Sequence, residues 1–265
     1  MLTSRALLVP SLPTLLIDEQ RGTPTEMLSA FAAQSAELEA ESPEAFVVVS
    51  SRWISNSTFL VDDARQHRSL IDLPGFGVEP RYDCAGEPAL AQAILEQARG
   101  AGLRASAARR GVDSGTSVPL HFLARTRRAP VVPASLSGAS AEEHRRWGAC
   151  IRRVLSGWTS RVAFVVSGAL TFNPHEFNLK RENPEVRELD QQLLEALQRG
   201  EWDRLAALEH DRGERAQAEA GWRHLEVLRG FLAGDLSGRV CAYESLPGFG
   251  AALVKFEIAA EVAAA

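Results

Sequence analysis

The sequence predicts a single α/β domain with a central, mostly parallel mixed sheet that is flanked by helices and ends in a C-terminal antiparallel hairpin. Short β-branched runs alternate with helical segments, the pattern of proteins with a largely parallel sheet. The 265 residues are 45% hydrophobic and 24% charged, an ordinary balance for one domain with a sizeable core. No repeat, linker or composition change divides the chain, so we expect one domain over residues 1–258 and a frayed alanine-rich tail at 259–265.

Seven short runs of β-branched and other apolar residues predict the strands. Runs of this length, bounded by turn-forming residues, are typical of buried strands. A Leu-Pro-Gly-Phe-Gly turn joins the last two runs and favours an antiparallel hairpin. In chain order the runs cover residues 6–10, 45–51, 58–62, 129–136, 161–168, 238–244 and 251–258.

Capping residues and glycines mark the helices. The stretch TPTE at 23–26 predicts a capping box with proline at the first helical position, and SAEE at 140–143 predicts a second box. Further helices are expected over 88–99, where a glycine follows, after the Asn-Pro pair at 183–184, and over about 222–232.

The stretch GVDSGTSVPLHFL at residues 111–123 places a turn directly before a short apolar helix. Asp, Ser and Thr are good helix N-caps, and the glycine permits a tight turn. We expect this loop to cap a site at the sheet edge, with Ser114 in the turn that precedes the helix.

Charge and cysteine usage exclude several classes. A formal net charge of −5 argues against nonspecific nucleic-acid binding, which needs a basic surface. Cys84, Cys150 and Cys241 show no C-x-x-C spacing, so we expect neither a zinc knuckle nor a disulfide framework, and a cytoplasmic protein. The apolar start at 7–17 is broken by two prolines and lacks a basic region before it. The sequence therefore predicts neither a signal peptide nor a membrane span.

Polar residues follow several predicted strands, where ligands bind in open α/β sheets. Ser11 follows the first strand and Arg52 the second, while Phe172 and His175 lie beyond the fifth. These groups converge on one crevice if the strands are parallel, although the serines could instead serve as turn residues and N-caps. A guanidinium keeps its charge, so Arg52 pairs with a surface acid or binds an anionic ligand.

The six histidines show no metal-binding pair spacing such as H-x-H or H-E-x-x-H. Each one taken singly is more often a surface or core residue than a ligand. Only His121, His175 and His224 lie where the predicted topology brings them toward the crevice. A nucleophile elbow, a G-x-G-x-x-G motif and a P-loop are all absent from the sequence.

The ordered motifs resemble one family over nearly the whole chain. They are LLVPSLPTLLI, VVVSSRW, GVDSGTSVPLHFL, PVVPASL, VVSGALTF and AEAGWRHLEVLRGFL, and together they are similar to the catalytic chains of the class III extradiol ring-cleavage dioxygenases. The resemblance implies a single α/β domain. It also implies, for active members, Fe(II) held by two histidines and a glutamate, with a catechol-type or aminophenol-type ring opened by O2.

The chain departs from this family at its histidines. The resemblance places Ser11 and Arg52 at the two histidine ligands, and Ser114 and Phe172 at two further histidines, while Glu219 matches the third ligand. A hydroxyl does not replace imidazole for Fe(II) at neutral pH. The stretches AEAGWRH and AALVKFEI are similar to the noncatalytic α subunit of 2-aminophenol 1,6-dioxygenase.

Three hypotheses follow. In the first, the chain is a noncatalytic subunit or pseudoenzyme without a cofactor, whose partner is a catalytic dioxygenase-like chain or a second copy, with neither nucleic acid nor membrane as a partner. In the second, it is an active Fe(II) dioxygenase with displaced ligands drawn from His121, His175, His224 and Glu219. In the third, a metal-free crevice binds or converts an anionic small molecule through Arg52. The candidate vestigial pocket comprises Ser11, Arg52, Ser114, His121, Phe172 and His175.

Overall fold

The computed structural model describes residues 2–72, 77–78, 81–126, 128–208, 218–233 and 237–258. The predicted tail at 259–265 and His210 lie outside these ranges. The described strands are β1 Leu2–Val9, β2 Ala45–Ser55, β3 Phe59–Asp62, β4 Gln66–His67, β5 Cys84–Ala85, β6 Ala105–Ala108, β7 Val131–Ser137, β8 Val162–Ser167, β9 Thr171–Phe172, β10 Gly238–Leu246 and β11 Phe249–Glu257. The helices are α1 Pro13–Arg21, α2 Glu26–Glu41, α3 Pro88–Gly100, α4 Ser114–Leu123, α5 Ala141–Gly157, α6 Pro174–Leu179, α7 Pro184–Arg199 and α8 Arg223–Leu232.

The main sheet is mixed, with strand order β10-β11-β1-β8-β2-β7-β3-β6 and β9 paired to β11. Its centre is parallel, because β8 pairs in parallel with both β1 and β2, and β2 pairs in parallel with β7. The hairpin β10-β11 is antiparallel and joins the sheet through β1. The predicted fold class is therefore confirmed, including the C-terminal hairpin.

Helices cover both faces of the sheet, so successive side chains of a central strand enter opposite layers. In β2, Val47 and Val49 pack in the cluster that contains residues of α3, α5, α7 and α8. Phe46 and Val48 pack in the cluster that contains residues of α1, α2 and α4. Both faces are apolar, which explains why the strand reads as a continuous hydrophobic run.

The helix boundaries confirm most of the predicted caps and correct one. Ser140 forms the predicted capping box at α5 with Glu143, and Asn183 caps α7. The prediction for TPTE was wrong, because α2 begins two residues later and its N-cap is Thr25, whose hydroxyl accepts a hydrogen bond from the Leu28 amide at 3.1 Å. One of the two prolines that interrupt the apolar start has a local reason, since Pro13 is the first residue of α1.

The part of the chain that the structure describes contains no helix of the length and apolarity that a membrane crossing needs.

Candidate functional site

The first two positions of the predicted site meet at the carboxyl ends of β1 and β2. Ser11 lies two residues beyond β1. Arg52 lies in β2 where the register against β7 shifts between Ser50 and Ile54, an irregularity that redirects side chains. The Arg52 Nε donates a hydrogen bond to the Ser11 hydroxyl at 3.3 Å. The two side chains that the resemblance places at histidine-ligand positions are thus joined to each other.

A cavity of about 230 Å³ opens beside Arg52. Its walls are mainly aromatic and apolar, and Phe172 and Phe249 meet edge to face with ring centroids 5.4 Å apart. Two charged side chains of opposite sign, Arg52 and Asp72, line this same space. Among the described residues, those that line the cavity are Leu12, Pro13, Thr14, Arg52, Asp72, Phe172, Pro174, Phe177, Asn178 and Phe249.

Ser114 holds one of these charges in place. The prediction that Ser114 precedes the helix was wrong, because Asp113 is the N-cap and α4 begins at Ser114, which is fully buried. Its amide and hydroxyl donate to the Asp72 carboxylate at 3.0 and 2.9 Å. A carboxylate at a helix N-terminus is stabilised by the free amides and the helix dipole. Sequence reasoning did not identify Asp72, since the segment around it has no periodicity and its contact with Ser114 spans 42 positions.

Asp113 is the N-cap of α4 and connects the start of this helix to β2. Its carboxylate caps the Thr116 amide at 3.1 Å and accepts the Ser50 hydroxyl at 3.0 Å. Burial raises the pKa of Asp113, and the nearby Arg110 guanidinium opposes that rise. Gly115 is required at this point because a Cβ there would stand 2.1 Å from the Ser50 Oγ. The Asp-Ser-Gly-Thr turn is therefore fitted to β2 as well as to the helix that it starts.

Glu219, which the resemblance places at the family's carboxylate ligand, lies on a 3-10 turn at Glu219–Trp222. Its Oε1 accepts the Ser51 hydroxyl at 2.8 Å, and its Oε2 accepts the Ala169 amide. The carboxylate therefore ties this turn to β2 and to the loop after β8. Both of its oxygens have protein donors.

The three histidines proposed near the crevice lie in different surroundings. His121 at the end of α4 has its Nε2 2.5 Å from the Glu19 carboxylate, and it lines a separate cavity with Arg125 and Arg128. His175 is exposed on α6. His224 is fully buried, its ring packs against Gly168, and among the described residues neither ring nitrogen has a hydrogen-bond partner. Burial lowers the pKa of His224 to about 4, so its ring is neutral at pH 7.

The structure thus brings Ser11, Arg52 and Phe172 to one place and links Ser114 to it through Asp72. Neither His121 nor His175 lines the cavity beside Arg52. The sequence did not predict that Phe177 and Asn178 line this cavity. They lie on α6, whose six residues are too few to show a hydrophobic periodicity.

The donor set at these positions does not fit Fe(II). Such a site needs two imidazoles and a carboxylate with open positions, whereas Ser11 offers a hydroxyl and Arg52 a permanent positive charge. No group of three or more His, Cys, Asp and Glu side chains is placed to share a metal ion within the described ranges.

Comparison with known proteins places the chain in a family. The family model described as the catalytic LigB subunit of aromatic ring-opening dioxygenase matches residues 5–254. Protein CA_C1420 of Clostridium acetobutylicum is 27% identical over 148 residues, which are 55% of this chain and 31% of that protein. The chain thus spans about a third of the length of that curated relative.

A solved structure shows the same fold. The uncharacterized protein JW3007 from Escherichia coli K12 superimposes with a TM-score of 0.72 at 18% identity, covering 97% of this chain and 100% of that one. At this identity the likeness concerns the fold alone. Because the family model covers nearly the whole chain, the protein belongs to the family of the catalytic LigB subunit of aromatic ring-opening dioxygenase.

Proposed function

We propose that this chain is a noncatalytic member of the family, in which the Arg52 crevice binds an anionic small molecule instead of Fe(II). One observation carries the proposal. The Arg52 guanidinium lines a cavity, and its described hydrogen-bond partner is the Ser11 hydroxyl, which accepts from Nε. The backbone amide of Arg52 donates to the Ser50 hydroxyl. Within the described ranges no carboxylate lies within 4.0 Å of this guanidinium.

Electrostatics favours an anion over a metal ion at this position. Two unit charges 4 Å apart interact by about 4 kcal/mol in a moderately screened site, so a dication beside Arg52 meets roughly twice that repulsion. A carboxylate there gains the same attraction, together with the hydrogen bonds that the guanidinium fork donates.

The alternative, an active Fe(II) dioxygenase with displaced ligands, has less support. His121 pairs with Glu19, His175 is exposed, and both lie away from the Arg52 cavity. His224 is neutral and buried, as a metal ligand would need to be. The carboxylate of Glu219 beside it, however, already accepts hydrogen bonds from two protein groups.

The first test is the iron content of the full chain. The chain is loaded with Fe(II) under anaerobic conditions, desalted and measured by elemental analysis, with a characterised ring-opening dioxygenase treated in parallel as the control. We expect far less than one iron per chain and no ring cleavage of catechol or 2-aminophenol. A ratio near one iron per chain would overturn the noncatalytic proposal.

The second test is anion binding through Arg52. We expect 3-phenylpropanoate, an apolar ring with one carboxylate, to bind in isothermal titration calorimetry. Arg52→Ala should weaken it by roughly tenfold or more, since a hydrogen-bonded charge pair contributes about 1.5–3 kcal/mol. Arg125→Ala, which removes an arginine from the separate cavity, is the matched control and should bind as the unchanged protein does. Equal losses in both variants would contradict the role given to Arg52.

A further inference from the structure

The Arg52 cavity holds a second unpaired charge, that of Asp72. The Asp72 carboxylate accepts hydrogen bonds from the amide and hydroxyl of Ser114. Among the described residues, no Lys, Arg or His nitrogen lies within 4.0 Å of it, and it is not paired with Arg52 across the cavity. One cation and one anion therefore line the same small space without forming a direct ion pair with each other.

From this arrangement we propose that the cavity recognises a zwitterion: a small aromatic compound that carries a carboxylate for Arg52 and an ammonium group for Asp72. The inference rests on the proposed binding of an anion by Arg52 and adds the second recognition group. A ligand with a carboxylate alone would cover Asp72 and remove water from it without giving it a partner, which is costly for a charged group. A ligand with both charges satisfies both side chains.

The residues that line the cavity determine which uncharged part of a ligand fits. Phe172, Phe177 and Phe249 present ring surfaces to the cavity, and aromatic rings pack well edge to face or offset against each other. The volume of about 230 Å³ is below the range of roughly 300–1,000 Å³ that is common for drug-sized ligands. A single ring with a short chain between the ring and its charged groups fits these limits.

Residues that differ from the family's histidines build the arrangement. Arg52 supplies the cation, Phe172 supplies part of the wall, and Ser114 holds Asp72 with a hydroxyl and an amide. Three of the four departures from the family pattern therefore serve one binding site, which gives a reason for their occurrence together.

Three probes with the same ring and chain test the inference. L-Phenylalanine carries both charges, 3-phenylpropanoate carries the carboxylate alone, and 2-phenylethylamine carries the ammonium group alone. Calorimetry with the full chain at pH 7 should give the tightest binding for L-phenylalanine, by roughly tenfold over 3-phenylpropanoate. We expect 2-phenylethylamine to bind weakest, because its cation meets the unpaired Arg52.

The variant Asp72→Asn removes the charge and keeps an oxygen that Ser114 can donate to. It should lower the affinity for L-phenylalanine to that of 3-phenylpropanoate and leave 3-phenylpropanoate binding unchanged or tighter. A thermal melt of the variant checks that it is folded. The comparison of the three probes on the unchanged protein tests the inference even if the variant does not fold.

The outcomes separate this inference from the proposed function. If 3-phenylpropanoate binds as tightly as L-phenylalanine and depends on Arg52, the zwitterion inference fails and anion binding stands. If Asp72→Asn weakens both probes equally, the inference also fails. If neither carboxylate-bearing probe binds, both the inference and the anion proposal are overturned.

Discussion

Asp190 on α7 is a buried carboxyl group behind the aromatic wall of the cavity. Thr171, next to Phe172, donates its hydroxyl to this carboxyl at 3.0 Å, and the Tyr243 hydroxyl donates at 2.9 Å. Burial raises the pKa of Asp190 to about 7, because these two hydrogen bonds do not replace the hydration that the charged form loses. Asp190 therefore anchors β9 and β10 to α7 and titrates near neutral pH.

This titration predicts a pH-dependent stability. The unfolded carboxyl has a pKa of 3.8 and the folded one a pKa of about 7. Between these values the folded state holds a proton that the unfolded state has lost, so raising the pH from 4 to 7 lowers the free energy of unfolding, by up to about 1.4 kcal/mol per pH unit. Asp190→Asn cannot ionise, and its stability relative to the unchanged protein should rise over this interval in urea unfolding series. A constant difference between the two proteins would refute the assignment.

At the scale of single residues, the sequence predicted the junction of Ser11 with Arg52 but not Asp72. The carboxyl ends of parallel strands meet at one edge of a sheet, so residues that follow β1 and β2 are brought together by topology alone. Asp72 reaches the site through an irregular segment and a contact with Ser114 across 42 positions. Local periodicity holds no information about such a contact.

Elements with long apolar patterns were predicted well, and short ones were missed. The strand predicted at 161–168 is β8 at Val162–Ser167. Every residue of this strand is buried, and a continuous apolar run in the sequence is the pattern that such burial requires. The six residues of α6 and the two of β9 are too short for a hydrophobic period, yet they supply Phe172 and Phe177 to the cavity. The resemblance placed Phe172 in the pocket, whereas no sequence pattern identified Phe177.

The close packing of α7 on β11 predicts that Gly250 does not tolerate a larger side chain. A Cβ on Gly250 would stand 1.8 Å from the Asp190 Oδ2, an atom that the Tyr243 hydroxyl holds in place. Gly250→Ala should therefore lower the free energy of unfolding by roughly 1–3 kcal/mol, the usual cost of overpacking. The measurement is the midpoint of chemical denaturation.

Gly100→Ala is the matched control for this prediction. Gly100 ends α3, and a Cβ there would meet nothing within 4 Å. Alanine is a better helix former than glycine by about 1 kcal/mol in a helix interior, so this variant should be as stable as the unchanged protein or slightly more so. Equal behaviour of the two variants would mean that the contact between Gly250 and Asp190 does not constrain the fold.

At the scale of the whole molecule, the exposed apolar side chains lie close along the chain to residues that line the cavity. Within the described ranges the large hydrophobic residues that are exposed are Ile54, Ile71 and Leu179, at 48%, 75% and 57%. Each lies within two positions along the chain of Arg52, Asp72 or Asn178, which line the cavity. Contiguous exposed apolar patches mark interaction surfaces, so we propose that these three positions contact a partner.

The proposed noncatalytic role predicts which partner this is. We expect the full chain, purified from its native host, to have the native mass of a complex with a second family member that retains two histidine ligands and a glutamate. Changing Ile71 and Leu179 together to serine should dissociate that complex and leave the binding of 3-phenylpropanoate intact. A complex of identical chains, or a free chain with ligand affinity retained, would rule out the catalytic-partner assignment.

The position of β1 also has a consequence for how the protein is made. β1 lies between β8 and β11, so its neighbours begin at Val162 and Phe249. A ribosome that adds about 5–20 residues per second releases β1 roughly 8–30 seconds before β8 exists to pair with it. During that interval an apolar strand is in the cell without its sheet, where chaperones and aggregation compete for it. Conditions that slow translation between these strands should therefore lower the soluble yield more than slowing it after Glu257.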